Sequence, residues 1–300
     1  MDADPGARTR RRVREYLQQR LSLISAGGLG GCVAKTATSP LERIRVLAQT
    51  GNSRGISSTA ISILESEGWR GFWRGNGTNC LRIFPAKGIL FATNDFYKDL
   101  LRHSFKMEGR ADPTSLSFFS GSFAGMTASF TTYPLDFART RLAGVTGRDI
   151  GLMGILREAV QDGGYRSLYR GCGPTIIGAM PYEGIKFGVY GFLSNYYGEK
   201  NNRNRSVMFS MCSGALAGMT AGLVVYPNDT VRKIMQISGS EGDHHGQKIY
   251  TSMVDCYRTT YRKGGIGRFY HGVTPYMIRC MPNAAIQFSV YESIKRLILD

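Results

Sequence analysis

The 300 residues hold six cysteines, scattered and without a C-x-x-C pair. That usage excludes a disulfide scaffold and a zinc ribbon. Histidine is scarcer still, at four, and two of these, His244 and His245, are neighbours in the polar stretch 238–248, so no metal site is expected. No Walker loop, Ser-His-Asp or Cys-His arrangement stands in the chain, which argues against an enzyme and implies no cofactor. Acidic residues are few: 22 Asp+Glu against 38 Lys+Arg leave a formal net charge of +16. Apolar residues are not scarce. They make up 42% of the chain, and the 38 glycines follow no three-residue period, which excludes disorder and collagen. Mean hydropathy is −0.19, on its face an argument against a membrane protein.

That average hides a pattern. Residues 113–135 are 23 in a row without a charge, and residues 206–228 are another 23. About 20 such residues suffice to cross a bilayer as a helix. Residues 21–34 begin a third run, interrupted by Lys35 before Pro40. Small residues recur four apart in each run: Gly27 and Gly31, Gly121 and Gly125, Gly214 and Gly218. That spacing lets membrane helices approach closely, although buried helices of a large soluble domain read the same way. Weaker segments lie between, near 80–101, 173–197 and 273–297, with Arg82, Lys87, Glu183, Lys186 and Arg279 inside them. Charges within a span are costly unless they face a wet cavity. Six amphipathic spans around such a cavity account for both the charges and the low mean hydropathy.

The chain repeats itself three times. Pro40, Pro134 and Pro227 are spaced by 94 and 93 residues, each with an acid two positions on and an arginine five positions on. The pairs are Glu42 and Arg45, Asp136 and Arg139, Asp229 and Arg232. A second element recurs downstream as Trp73-Arg74-Gly75, Tyr169-Arg170-Gly171 and Tyr270-His271-Gly272. A third recurs as Arg82-Ile-Phe-Pro85, Gly178-Ala179-Met-Pro181 and Arg279-Cys-Met-Pro282. Proline bends a helix by removing one hydrogen bond, so three bends draw three helices together at one end. Acid and arginine share a helix face there. Under threefold symmetry each acid can meet the next helix's base; the alternative is three local ion pairs worth roughly 0.2–0.5 kcal/mol each. Gln49 and Gln236, four residues past Arg45 and Arg232, are candidate braces, whereas repeat two has Ala143 at that place.

These motifs resemble the mitochondrial carrier family over essentially the whole chain, most closely its adenine-nucleotide carriers. Residues 67–75, Glu-Gly-Trp-Arg-Gly-Phe-Trp-Arg-Gly, match the family's first loop motif; Gly163-Gly164 and Gly264-Gly265 depart from it. The resemblance implies an all-α membrane protein: six transmembrane helices in three tandem two-helix repeats, pseudo-threefold around a central cavity, with a short matrix helix per repeat. It places a basic tail at 1–16 and repeats at 17–106, 107–200 and 201–300. It implies a matrix gate of Glu42–Arg139, Asp136–Arg232 and Asp229–Arg45. A weaker cytoplasmic gate follows from Asp95, Lys98, Glu292 and Lys295, with Tyr190-Gly191 breaking the pattern. Lys35, about 7.5 Å before Pro40 along its helix, joins Arg82 and Arg279 as phosphate ligands. Gly178 and Ala179 leave a flat space for a base, on which Tyr182 stacks unless it only packs helices. Trp73, Arg74, Gly75, Tyr169, Arg170, Gly171, Tyr270 and Gly272 resemble cardiolipin sites, where helix N-termini hold lipid phosphates; packing explains the aromatic rings equally well.

The function implied is exchange of an adenine nucleotide, ADP/ATP first, across the mitochondrial inner membrane. Coenzyme A and ATP-Mg/phosphate are alternatives, and Arg232-Lys233-Ile234 departs from the ADP/ATP signature. No calcium-binding N-terminal domain is seen, which argues against a calcium-regulated type. The missing second brace and broken outer gate also admit a transport-inactive subunit of a larger respiratory-chain assembly. The +16 charge permits a soluble nucleic-acid binder, but the uncharged runs argue against one, so no nucleic acid is expected as a partner.

Overall fold

The computed structural model describes residues 5–51, 55–104, 114–147, 150–198, 207–238, 250 and 252–299. Among them are ten α-helices and no strand: α1 (Pro5–Thr50), α2 (Ile56–Glu67), α3 (Asn76–Ser104), α4 (Thr114–Thr131), α5 (Tyr133–Gly144), α6 (Leu152–Gly163), α7 (Cys172–Gly198), α8 (Val207–Ile237), α9 (Met253–Phe269) and α10 (Val273–Leu299). Each repeat is a long first element, a single helix in repeats one and three and two pieces in repeat two, then a short helix, a tight turn and a second long helix. α1 starts at Pro5, inside the segment expected as a tail; the arginine side chains there lie outside the described residues, as do His244 and His245.

The three prolines act differently. Pro40 and Pro227 sit inside continuous helices. Pro134 follows a break at Thr132 (φ −91°, ψ 6°), so the corresponding element of repeat two is in two pieces, α4 and α5. Pro40 has no N–H to offer the Thr36 carbonyl four residues back. Trp73 fills that role: its Nε1 donates to Thr36 O at 2.9 Å.

The long elements form a closed ring. α1 packs on α3 and α10, α3 on α4, α4 on α7, α7 on α8, and α8 on α10. The apolar core lies at one end, where each short helix packs on the end of its repeat's first long element. Ile44, Ile63 and Phe72 meet in repeat one, Ala138, Leu142 and Ile155 in repeat two, and Val231, Ile234, Cys256 and Phe269 in repeat three.

One glycine position turns each short helix into the next segment: Gly68, Gly164 and Gly265, at φ 70°, 67° and 61°. These are left-handed values that disfavour a side chain. This explains why the acid-Gly motif keeps its glycine in all three repeats and its acid only in the first.

The small-residue runs do less helix packing than their spacing suggests. Gly28 and Gly31 do face α3, at Phe84 and Ile83. Gly121 and Gly125 instead line a cavity; among the described residues nothing stands within 4 Å of a Cβ placed at Gly214, whereas one at Gly218 would stand 3.9 Å from Tyr182 Oη. Among the described residues, no helix is long and apolar enough to cross a membrane. The ring does expose large apolar side chains on its outside, including Leu29, Val33, Leu81, Phe130, Val224 and Ile278.

Candidate functional site

The ring encloses a cavity of about 710 Å³, lined by Asn94, Gly121, Ser129, Gly178, Ala179, Tyr182, Glu183, Asn228 and Arg279 among others. Beneath it lies a second space of about 260 Å³, lined by Glu42, Arg45, Arg82, Asp136, Arg139, Asp229, Arg232, Lys233 and Gln236. Arg45, Asp229 and Arg232 border both. Here the bent first elements of the three repeats converge.

The charged residues at this floor pair between repeats. Arg45 Nη2 is 2.7 Å from Asp229 Oδ2, Arg139 Nη2 is 3.0 Å from Glu42 Oε1, and Arg232 Nη2 bonds Asp136 Oδ2. Local contacts are longer: Arg45–Glu42 at 3.9 Å and Arg139–Asp136 at 4.0 Å. The cross-repeat arrangement therefore prevails over three separate local pairs. Gln49 Nε2 donates to Asp229 at 3.3 Å and to Thr230 Oγ1 at 3.0 Å. Gln236 Nε2 donates to Asp136 at 3.1 Å and to Tyr133 Oη at 3.0 Å.

The motifs assign no site role to three further participants, although a tyrosine precedes the repeat proline at Tyr133 and Tyr226. Lys233 Nζ lies 2.7 Å from Gln49 Oε1, 3.3 Å from Asp229 and 3.9 Å from Glu42. Tyr226 and Tyr276 flank the Arg45 guanidinium, whose Cζ is 5.1 Å and 4.4 Å from their ring centroids, a cation–π geometry. Tyr276 also donates to Gly218 O at 3.3 Å and fills the space beside Gly222.

The expected phosphate ligands divide. Arg279 lines the large cavity, and its Nη1 is 3.1 Å from Glu42. Arg82 lines the lower space, with Nε 3.7 Å from Asp136. Lys35 lines neither; it borders a small crevice with Glu42, Asn79 and Arg139. Six cations (Arg45, Arg82, Arg139, Arg232, Lys233 and Arg279) thus stand within 4.0 Å of three carboxylates, an excess of three positive charges. Among the described residues, Nε of Arg45, Arg82, Arg232 and Arg279 is buried with no hydrogen-bond acceptor.

Gly178 and Ala179 do form cavity wall, and Tyr182 lines the same cavity. The missing side chain at 178, however, does not make room for a ring. A Cβ there would collide with Asn228 Nδ2, which donates to Pro174 O at 2.6 Å, while Tyr257 Oη donates to Asn228 Oδ1 at 2.9 Å. Close packing of α7 on α8 demands that glycine.

At the far end of the cavity, Asp95 and Lys98 stand one turn apart on α3, and Gly191 lies on α7. The side chains of Glu292 and Lys295 on α10 lie outside the described residues.

The aromatic-basic-glycine elements sit where repeats meet. Gly75, Gly171 and Gly272 have φ of 82°, 81° and 77°, and a Cβ on each would stand 3.0, 2.9 and 3.1 Å from the carbonyl oxygen of Arg139, Arg232 and Arg45. Each glycine thus admits the backbone of the next repeat's ring arginine. Trp73, Arg74 and Gly75 also border a crevice of about 650 Å³ that reaches Gly147 and Gly151 of repeat two. Tyr169 stacks on Tyr133 and Tyr270 on Tyr226. Arg170 reaches Ser238 O at 3.5 Å.

A further cluster ties repeat one to repeat two. Arg43, fully buried, donates to Glu67 through both Nη atoms at 2.8 and 2.7 Å and to Gly71 O. Arg74 reaches Glu67 at 3.0 Å, and Gly147 N donates to it at 3.0 Å. Burial pushes the Glu67 carboxyl up, but Arg43, Gly147 N–H and Arg74 outweigh it and hold the carboxyl below its ordinary value. The internal comparison could have found this cluster. Repeats two and three have Phe137 and Thr230 where Arg43 stands, and Gly163 and Gly264 where Glu67 stands.

A three-repeat helical ring, closed at one end by ion pairs between repeats and enclosing a charged cavity, defines a carrier of solutes. The family model described as mitochondrial carrier protein matches residues 18–105, 110–201 and 203–300. The chain belongs to the mitochondrial carrier family, whose members are transporters and not enzymes. It is 36% identical to mitochondrial carrier protein CoAc1 of Arabidopsis thaliana, over 90% of this chain and 87% of the relative. It is 33% identical to the mitochondrial adenine nucleotide transporter ADNT1 of the same plant, over 91% and 86%. To the mouse mitochondrial adenyl nucleotide antiporter SLC25A24 it is 34% identical, over 91% of this chain and 57% of the relative.

Proposed function

We propose that the chain exchanges adenine nucleotides, ADP and ATP first among them, across the mitochondrial inner membrane by alternating access. The observation that carries this reading is the charge excess at the cavity floor, six cations against three carboxylates, with Arg279 lining the large cavity above it. A polyphosphate satisfies such a site, because Arg binds phosphate through paired donors and the low dielectric strengthens the attraction. Relatives named for adenine and adenyl nucleotide transport favour the same class.

In this reading the ring pairs are the gate on the matrix side. Phosphate entering from the large cavity takes Arg279 from Glu42 and Arg82 from Asp136, which loosens the ring. The outward apolar side chains meet lipid while the charged faces meet the cavity, so no single helix needs to be apolar throughout. An anionic lipid such as cardiolipin sits at the inter-repeat crevices, its phosphate at the start of α3, α7 or α10.

Coenzyme A is the second reading. It shares the adenine and phosphate groups, and the similarity to the CoAc1-named carriers favours it. The test is a thermal-shift screen of the purified protein against ADP, ATP, coenzyme A, AMP and dicarboxylates. The true substrate class stabilises the native state by mass action. Arg82→Ala and Arg279→Ala are expected to abolish both the shift and uptake by liposomes while leaving a folded protein. No shift from any adenine compound, or normal uptake by both variants, defeats the reading.

A further inference from the structure

We propose that Cys32 on α1 and Cys80 on α3 are a reversible dithiol–disulfide site that staples these two helices under oxidation. Cys32 Sγ lies 3.9 Å from the carbonyl oxygen of Cys80, and Cys80 Sγ lies 4.0 Å from that of Cys32. Contacts that run both ways set each sulfur over the other residue's backbone, so the thiols face each other across the helix contact. Gly28 and Gly31 bring the helices this close: a Cβ at 28 would stand 2.7 Å from the Phe84 ring, and one at 31 would stand 3.5 Å from Ile83 Cδ1. Both cysteines are half-buried and free, so a small oxidant reaches them. Neither takes part in the ring or lines the large cavity.

Hydrogen peroxide supplies the oxidising equivalents. One thiol sulfur attacks the peroxide bond, giving a sulfenic acid and one water. The second thiol then attacks that sulfur; its proton and the departing hydroxyl leave as a second water, and the S–S bond forms. Two thiols and one peroxide thus become one disulfide and two waters, and a dithiol reductant reverses the change.

The staple has a mechanical consequence. α1 carries Glu42 and Arg45, and α3 carries Arg82 two residues beyond Cys80. Ring opening must let α1 move relative to α3, and a covalent link about 15 Å from Glu42 along α1 resists that motion. This consequence rests on the proposed exchange; the disulfide itself does not.

The test uses the full chain in detergent, treated with hydrogen peroxide, alkylated and mapped by peptide mass spectrometry. A linked peptide pair bearing Cys32 and Cys80 is expected, lost on reduction and absent from Cys32→Ser. The other four cysteines are internal controls. If both residues remain fully alkylated, or reach sulfinic acid with no linked pair, the site does not exist. In liposomes, peroxide is expected to depress uptake by the wild type, reductant to restore it, and the Cys32→Ser/Cys80→Ser variant to resist. A linked pair with undiminished uptake overturns the staple. Failure of the untreated protein to take up any adenine compound counts against the proposed exchange, and the disulfide then stands or falls on the linked peptide alone.

Discussion

The ring is closed differently at two of its seams. Between α5 and α8, Asp136 meets Arg232, and Gln236 ties the carboxylate to Tyr133. Between α1 and α5, Glu42 meets Arg139, but Ala143 stands where a glutamine would brace the pair. Ala143 packs instead on Val46 and Ile237, an apolar patch at the edge of the lower space. That same seam carries the Arg43–Glu67 cluster on its outside, where Gly147 N and, at 3.5 Å, Val145 O of repeat two are captured. A buried amide stabilises through the partners it finds. At one seam Gln236 Nε2 donates to both Tyr133 and Asp136, while its Oε1 has no donor among the described residues. At the other, the cross-repeat bond has moved outward to a carboxylate and an arginine.

The largest effect should come from the braced seam. Asp136→Ala leaves Arg232 and Arg82 facing each other without their carboxylate. Removing one partner of a buried pair costs about 3–5 kcal/mol. The apparent Tm in detergent should fall steeply, and a near-wild-type Tm would mean that this pair does not hold the seam.

Next is the outer cluster of the unbraced seam. Glu67→Gln keeps the shape but removes the charge that Arg43 and Arg74 share, a loss of about 3 kcal/mol from charged hydrogen bonds. The depressed Glu67 carboxyl also fixes a sign. Its stabilisation is complete above the ordinary carboxylate value of 4.5 and is lost as pH falls through the lower, folded-state value. Wild-type Tm should therefore drop on acidification more steeply than that of Glu67→Gln. Parallel profiles would remove Glu67 from the seam.

These seams show which features the sequence could disclose. The three ion pairs were legible because acid and arginine recur at fixed distance from prolines 94 and 93 residues apart. The braces followed from the same register. Lys233 was not legible, since Val46 and Thr140 occupy its position in the other repeats and only the assembled ring brings it to Gln49. The direction of Lys35 was not legible because counting residues along a helix gives height alone; its side chain borders a crevice shared by α1, α3 and α5. Gly178 does line the cavity, but that its missing side chain makes way for Asn228 could not be read within its repeat, because Asn228 belongs to the next. The fold was legible from repetition, whereas contacts unique to one repeat needed the assembled chain.

Ala143→Gln asks whether the missing brace is a gap or a filled place. Were it a gap, the new amide would reach Glu42 or Arg139 and raise Tm. Ala143 borders the lower space of about 260 Å³ together with Glu42 and Arg139, while Val46 and Ile237 flank it. A hydrogen bond contributes about 1 kcal/mol, so a higher Tm is expected, and a loss would show that the apolar patch excludes the amide.

The smallest effect separates the two existing braces. Gln236→Ala loses bonds to Asp136 and Tyr133, and Tyr133 keeps its bond to Arg170 O at 2.8 Å. Gln49→Ala loses bonds to Asp229 and Thr230 and also strands Lys233, whose contact with Gln49 Oε1 is shorter than its reach to either carboxylate. Each hydrogen bond contributes about 1 kcal/mol, and an ammonium left short of an acceptor costs more than a neutral group. Gln49→Ala should therefore lower Tm more than Gln236→Ala. The Lys233→Met change should erase that difference when combined with Gln49→Ala, because no charge is then left stranded. Equal losses in the single variants would show that Lys233 is held by Asp229 and Glu42 alone.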